Sequence, residues 1–164
     1  MAHYLVTGGA GFVGSVLTRL LEANGHQVVV LDDFSTGSRD ALKGAAARIF
    51  QGSPELARSI WLDRLDGIFF VDAPSSSPMY RDRPYLVGQA LNGFLAHLNV
   101  ARRWGCRLVY ASSSSVYIGN PLPWREDMPL FAKDFYSEVR IGMERLARVQ
   151  YELYGTRSIG LRPF

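Results

Sequence analysis

Tyr136 and Arg140 stand four residues apart in the run "YSEVR", a spacing that puts both side chains on one face of a helix, one turn apart. A phenol held beside a fixed cation is a proton-transfer pair. A unit charge about 4 Å away at an effective dielectric near 20 is worth roughly 4 kcal/mol, or about three pKa units, enough to carry a tyrosine from near 10 toward neutrality. Tyrosine and arginine at this spacing also make ordinary surface pairs, and the two residues alone do not separate these readings. Four serines, Ser112 to Ser115, follow an apolar run at 107–111 and supply hydroxyls near the same chemistry.

A second group could hold a charged ligand. Thr7-Gly8-Gly9-Ala10-Gly11-Phe12-Val13-Gly14 satisfies G-x-G-x-x-G from Gly9 and G-x-x-G-x-x-G from Gly8, follows an apolar run and opens a helical pattern. Glycines permit the tight turn and the close approach of a pyrophosphate, whose charge then sits on free N–H groups at the helix start. Gly8, Gly11, Phe12, Val13 and Gly14 are therefore candidate cofactor-binding positions for a dinucleotide; a glycine-rich turn that merely packs is the other reading. The next apolar run ends in Val30-Leu31-Asp32-Asp33, with Asp32 eighteen residues past Gly14. A carboxylate there can accept hydrogen bonds from the adenosine ribose hydroxyls and would repel a 2′-phosphate, which favours NAD over NADP. Arg39, close behind, argues the other way, and Asp32 could also serve as a helix cap or a solvated loop residue.

The elements that must position these groups alternate. Strands are expected at 4–7, 27–31, 48–51, 67–71, 107–111 and 158–161, several apolar on both sides of the alternation, and helices at 13–23, 54–62, 85–104 and 135–154. Strand then helix, repeated, predicts an α/β fold: a Rossmann-like doubly wound parallel sheet of about six strands with helices on both faces, three layers in all. Loops are expected at 32–38, 74–84 and 118–129, where Pro and Gly cluster; the first two follow strands directly, at the edge where open α/β sheets bind ligands.

The 164 residues suit a single domain, 1–164, with 48% hydrophobic content to bury. The 18 basic residues, against 15 acidic ones, are scattered rather than gathered into a phosphate-binding face, which argues against nucleic acid. No stretch approaches the apolar length of a membrane span, and the expectation is a cytoplasmic protein without a membrane partner. Cys106 is the single cysteine and reads as a small buried hydrophobe; His3, His26 and His97 show no metal-ligand spacing.

Taken together, "TGGAGFVGS" at 7–15, "VVVLDDFSTG" at 28–37, "RLVYASSSSVY" at 107–117, "NPLPWREDMPL" at 120–130 and "ERLARVQYELYGTRSIGLRPF" at 144–164 resemble the extended short-chain dehydrogenase/reductases, specifically the NAD-dependent nucleotide-sugar epimerases and dehydratases. The resemblance implies NAD as cofactor, held also by Asp33, Ser35, Thr36 and Gly37, and a nucleotide-sugar substrate. It makes Ser113, Tyr136 and Arg140 the catalytic set: Ser113 hydrogen-bonds the substrate oxygen while Tyr136 exchanges its proton. It also implies a homodimer through helices 85–104 and 136–154.

The pattern is departed from in several places. Arg140 replaces the family's lysine, exchanging a compact donor for a broad planar fork. "DGIFFVDA" at 66–73 aligns with D-x-V-F-H-x-A-A, putting Phe70 for histidine and Asp72 for alanine, a carboxylate directed toward the dinucleotide. Ser53 stands where an aspartate is common, and Ala90 where an asparagine opens N-V-x-G, with Asn92 two residues on. The resemblance covers the family's NAD-binding part, and a C-terminal substrate domain is expected to be absent. Two functions compete: a nucleotide-sugar oxidoreductase domain with a modified site, and a degenerate NAD-binding or scaffold module without turnover.

Overall fold

The structure, a computed structural model, describes residues 1–60 and 62–164. Six parallel strands, β1 (His3–Thr7), β2 (Gln27–Asp32), β3 (Arg48–Gln51), β4 (Gly67–Phe70), β5 (Arg107–Ala111) and β6 (Ser158–Leu161), form one sheet in the order β3-β2-β1-β4-β5-β6. The order reverses between β1 and β4, which makes their carboxyl ends the switch point, the place where such sheets bind ligands.

Four helices, α1 (Phe12–Ala23), α2 (Ser77–Asp82), α3 (Leu86–Trp104) and α4 (Phe135–Tyr154), complete the layers. Successive side chains of a strand point to opposite faces, and this explains why the central strands are apolar throughout. Leu5, Leu31, Ile68, Phe70 and Leu108 pack on Phe94 and Leu98 of α3 and on Val139 and Met143 of α4. Val6, Val28 and Val30 face the other way, toward Leu17 and Leu21 of α1.

The six strands lie where the sequence places them, to within a residue at either end. Two expectations fail. The helix expected over 54–62 is a short 3-10 turn, Pro54–Arg58, and Trp61 lies outside the described residues. Ala57 is the buried residue of that turn, and beyond it Ile60 and Leu62 pack partly buried against the core without continuing the helix. The loop expected over 74–84 contains α2. Its Pro78 sits in the first turn, where a missing N–H costs nothing, and the fully buried Tyr80 anchors the helix against Tyr136 of α4, ring centroids 6.2 Å apart.

His97 of α3 is fully buried beneath the sheet. Its Nε2 meets Thr7 Oγ1 at 2.7 Å and its Nδ1 meets the Gly93 carbonyl at 2.7 Å. One neutral tautomer satisfies both: Nδ1–H donates to Gly93 and Nε2 accepts from the Thr7 hydroxyl. Burial pushes its pKa down to about 4, with the Gly93 contact opposing.

Candidate active site

β1 runs directly into the glycine turn. Gly8 has φ +82°, and a Cβ there would lie 2.8 Å from the Asp72 backbone nitrogen; one on Gly14 would lie 2.0 Å from the Gly8 carbonyl oxygen. Side chains are therefore excluded from both positions by backbone that cannot move away. Gly11 caps α1 without a side-chain bond, and among the described residues the N–H groups of Phe12, Val13 and Gly14 have no acceptor. Three orphan donors at the positive end of a helix, reached across glycine, fit the pyrophosphate of a dinucleotide.

Asp32 is buried at the end of β2, where its Oδ2 accepts from Ala10 N at 2.8 Å and its Oδ1 from Phe34 N at 2.8 Å. The carboxylate thus ties the glycine turn to the loop after β2. Each oxygen keeps a second lone pair for an incoming hydroxyl. That loop folds over the turn, because Ser38 N donates to the Ala10 carbonyl at 3.1 Å and a Cβ on Gly37 would touch Ala10 at 2.8 Å. Asp33 accepts from Ser35 N at 2.8 Å, and Ser35 and Thr36 are exposed. Phe34 adopts φ +59°, and the Arg39 guanidinium stacks on its ring at 4.4 Å while Arg39 Nη2 donates to Gln51 Oε1 at 2.5 Å.

Across the switch point, α4 begins with a reciprocal cap. Ser137 N donates to Asp134 Oδ1 at 2.8 Å, and Asp134 N donates to Ser137 Oγ at 3.1 Å. Ser77 of α2 donates to the second Asp134 oxygen, so the first turn of α4, which carries Tyr136, is fixed to α2.

Arg140 is buried at 5% exposure. Its Nη1 donates to the Ala111 carbonyl at 3.0 Å and its Nη2 to the Pro74 carbonyl at 3.3 Å, while Cζ lies 4.9 Å from the Tyr136 ring centroid. The guanidinium thus joins α4 to the end of β5 and to the segment after β4. Arg140 Nε and the Tyr80 hydroxyl are buried with no partner among the described residues. Burial raises Tyr80 to about 12, partly offset by Arg140.

Ser113 is nearly buried, and its Oγ accepts from Ser115 N at 3.1 Å, capping a 3-10 turn, Ser114–Tyr117. Ser113 and Arg140 are thus both gathered at the end of β5; among the described residues no hydrogen bond joins Ser113 to Tyr136. Asp72 is half-buried at the end of β4. Burial and the carboxylates of Asp33, Asp32 and Glu55 push its pKa up to about 7, with Arg140 opposing.

A further polar cluster escapes sequence reasoning. Arg162, just past β6, donates from Nε to Glu144 Oε1 at 2.9 Å, from Nη2 to Glu144 Oε2 at 2.6 Å and from Nη1 to the Tyr117 hydroxyl at 2.6 Å. Ser112 Oγ also donates to Glu144. Glu144 lies one turn beyond Arg140 on α4, and that spacing is the one signal the sequence offers for it.

The model of the NAD dependent epimerase/dehydratase family matches residues 4–164. A UDP-glucose 4-epimerase of Lacticaseibacillus casei is 30% identical over 166 residues, covering 97% of this chain and 50% of the relative. A UDP-glucuronic acid decarboxylase 1 of Danio rerio is 38% identical over 120 residues, 71% of this chain and 28% of the relative. Among solved structures, the Thermus thermophilus UDP-glucose 4-epimerase in complex with NAD gives a TM-score of 0.89 at 30% identity, over 98% of this chain and 54% of that one. The Thermotoga maritima UDP-glucose 4-epimerase with UDP-glucose gives 0.91 at 26% identity, over 98% and 54%. The chain spans about half the length of the epimerases it matches. Since the match begins in β1 and continues through β6, taking in both the glycine turn and α4, the chain belongs to the NAD-dependent epimerase/dehydratase family.

Proposed function

We propose that this chain is the NAD-binding domain of an oxidoreductase acting on a nucleotide sugar, an epimerase or dehydratase of its family. The observation that carries the reading is the uncapped start of α1, with three free N–H groups behind glycines that admit no side chain, placed at the switch point of the sheet. In this reading Gly8, Gly11, Phe12, Val13 and Gly14 hold the pyrophosphate of NAD, and Asp32, Asp33, Ser35, Thr36 and Gly37 hold its adenosine end. Bound NAD supplies a hydride acceptor and donor. Tyr136 moves a proton at the substrate oxygen and Ser113 orients that oxygen by a hydrogen bond. Arg140 positions Tyr136, since it stacks on that ring and is itself fixed to two carbonyls. A cytoplasmic location and a homodimer through α3 and α4 belong to the same proposal; exposed Val149 and Leu153 on α4 support the pairing.

A module that binds NAD without turnover is the second reading, and one observation favours it. The guanidinium that replaces the family's lysine gives its bonds to Ala111 and Pro74. Calorimetric titration tests the shared core of both readings: saturable binding of NAD and NADH, tighter than that of NADP, is expected, and no heat at millimolar NAD would overturn them.

A further inference from the structure

Asp72 lies two residues past the end of β4, beside the glycine turn, and its backbone nitrogen is where a Cβ on Gly8 would collide, at 2.8 Å. Three carboxylates reach this edge of the sheet. Asp32 is held by the N–H groups of Ala10 and Phe34, and Asp33 by that of Ser35. Asp72 accepts no hydrogen bond and makes no ion pair among the described residues.

The groups facing it are Asp32 and Asp33 at the end of β2, Glu55 in the 3-10 turn after β3, Tyr80 on α2 and Arg140 on α4. Arg140 supplies the positive charge of that set, with its Nη1 and Nη2 donating to the carbonyls of Ala111 and Pro74. A pyrophosphate on the free N–H groups of Phe12, Val13 and Gly14 adds negative charge to the same edge. Like charges in a partly desolvated cleft cannot all stay ionised. Asp32 and Asp33 are stabilised as carboxylates by backbone donors, so Asp72, which has none and is partly desolvated, takes the proton. Once neutral, it also offers an O–H donor in place of a repelling charge.

We propose that Asp72 makes dinucleotide binding proton-coupled: the site accepts the dinucleotide with the Asp72 carboxyl neutral, and takes up a proton from solvent whenever that carboxyl is ionised beforehand. The proposal rests on the reading of the glycine turn as a dinucleotide site. Burial and the neighbouring carboxylates hold free Asp72 at about 7, so both forms are populated near neutrality. The sign follows: affinity is highest below that value and falls as pH rises through it.

The test is calorimetric titration of the intact chain with NAD between about pH 5.5 and 8.5, in buffers of different ionisation heat, so that proton uptake is counted directly. For the native chain, uptake approaching one proton per NAD on the alkaline side is expected, with Kd rising up to about tenfold per pH unit above about 7. Asp72→Asn, which keeps the shape, and Asp72→Ala, which has the family's residue, should bind NAD with little pH dependence and no linked proton. Native binding without proton uptake, and with a pH profile parallel to that of Asp72→Asn, overturns the proposal while leaving the dinucleotide site standing. No binding by the native chain or either variant at any pH overturns the dinucleotide reading and the proposal together.

Discussion

The guanidinium of Arg140 lies on the ring of Tyr136, with Cζ 4.9 Å from its centroid, and sends its Nη donors away from it, to the carbonyls of Ala111 and Pro74. A single side chain therefore fastens α4 to two separate segments at the carboxyl edge of the sheet. A lysine at this position would bring the charge but a single ammonium point, which cannot span both carbonyls in the same way.

Arg140→Lys is accordingly expected to lose stability, by about 1–2 kcal/mol, and Arg140→Ala by about 2–4 kcal/mol, because the second also leaves two part-buried carbonyl bonds without their donor and opens a cavity at a buried side chain. Urea denaturation of the two variants measures this. An unchanged midpoint in Arg140→Ala would show that the two carbonyl bonds contribute nothing to folding and that the clamp is not formed in solution.

Two ion pairs that involve α4 should differ sharply in worth. Arg162 and Glu144 retain 20% and 15% side-chain exposure and share further bonds with Tyr117 and Ser112, whereas Arg148 and Glu152 retain 81% and 54%. Removing one charge of a desolvated pair strands the other, so Glu144→Gln should cost about 2–4 kcal/mol, while Glu152→Gln should cost no more than about 0.5 kcal/mol. Denaturant unfolding of both variants side by side checks the contrast; equal losses would mean that the Glu144 network is solvated.

Strand positions are legible in the sequence because each central strand must be apolar on two faces: Leu5 belongs to one layer and Val6 to the other. The helix α2 is hidden because its prolines at 78 and 84 read as loop markers, although one opens the helix and the other follows its end. The spacing of Tyr136 and Arg140 is enough to put them on one helix face. Where the guanidinium turns is not legible, since Ala111 and Pro74 arrive from other parts of the chain, 29 and 66 residues away. Arg162 and Glu144, 18 residues apart, meet through the docking of β6 beside β5, and no local pattern announces such a pair. Asp72 stands out in the sequence only through the resemblance, and that its carboxyl has no partner among the described residues is a fact of the folded edge.

Two desolvated groups should give the protein an unusual pH dependence of stability. Folded His97 has its pKa lowered to about 4, against an ordinary value of 6.5, so between these limits the unfolded chain binds a proton that the folded chain refuses. Stability linked to His97 is present above about 6.5 and is lost as pH falls toward 4, by up to about 3 kcal/mol. Asp72 works the other way. Its folded pKa is raised to about 7 from an ordinary 3.8, so its contribution is complete below the lower value and is lost as pH rises through the upper one. The two terms oppose each other across nearly the same window, and the native chain should show a flat profile there. Asp72→Asn removes one of them, so its unfolding free energy, measured by urea titration at a series of pH values, should fall clearly as pH drops from about 6.5 to 4. Adding His97→Gln should lower overall stability, since Thr7 and Gly93 lose their imidazole, and flatten the profile again. A flat profile in Asp72→Asn alone would show that His97 reaches a proton in the folded state, and that the Thr7–His97–Gly93 chain is open to water.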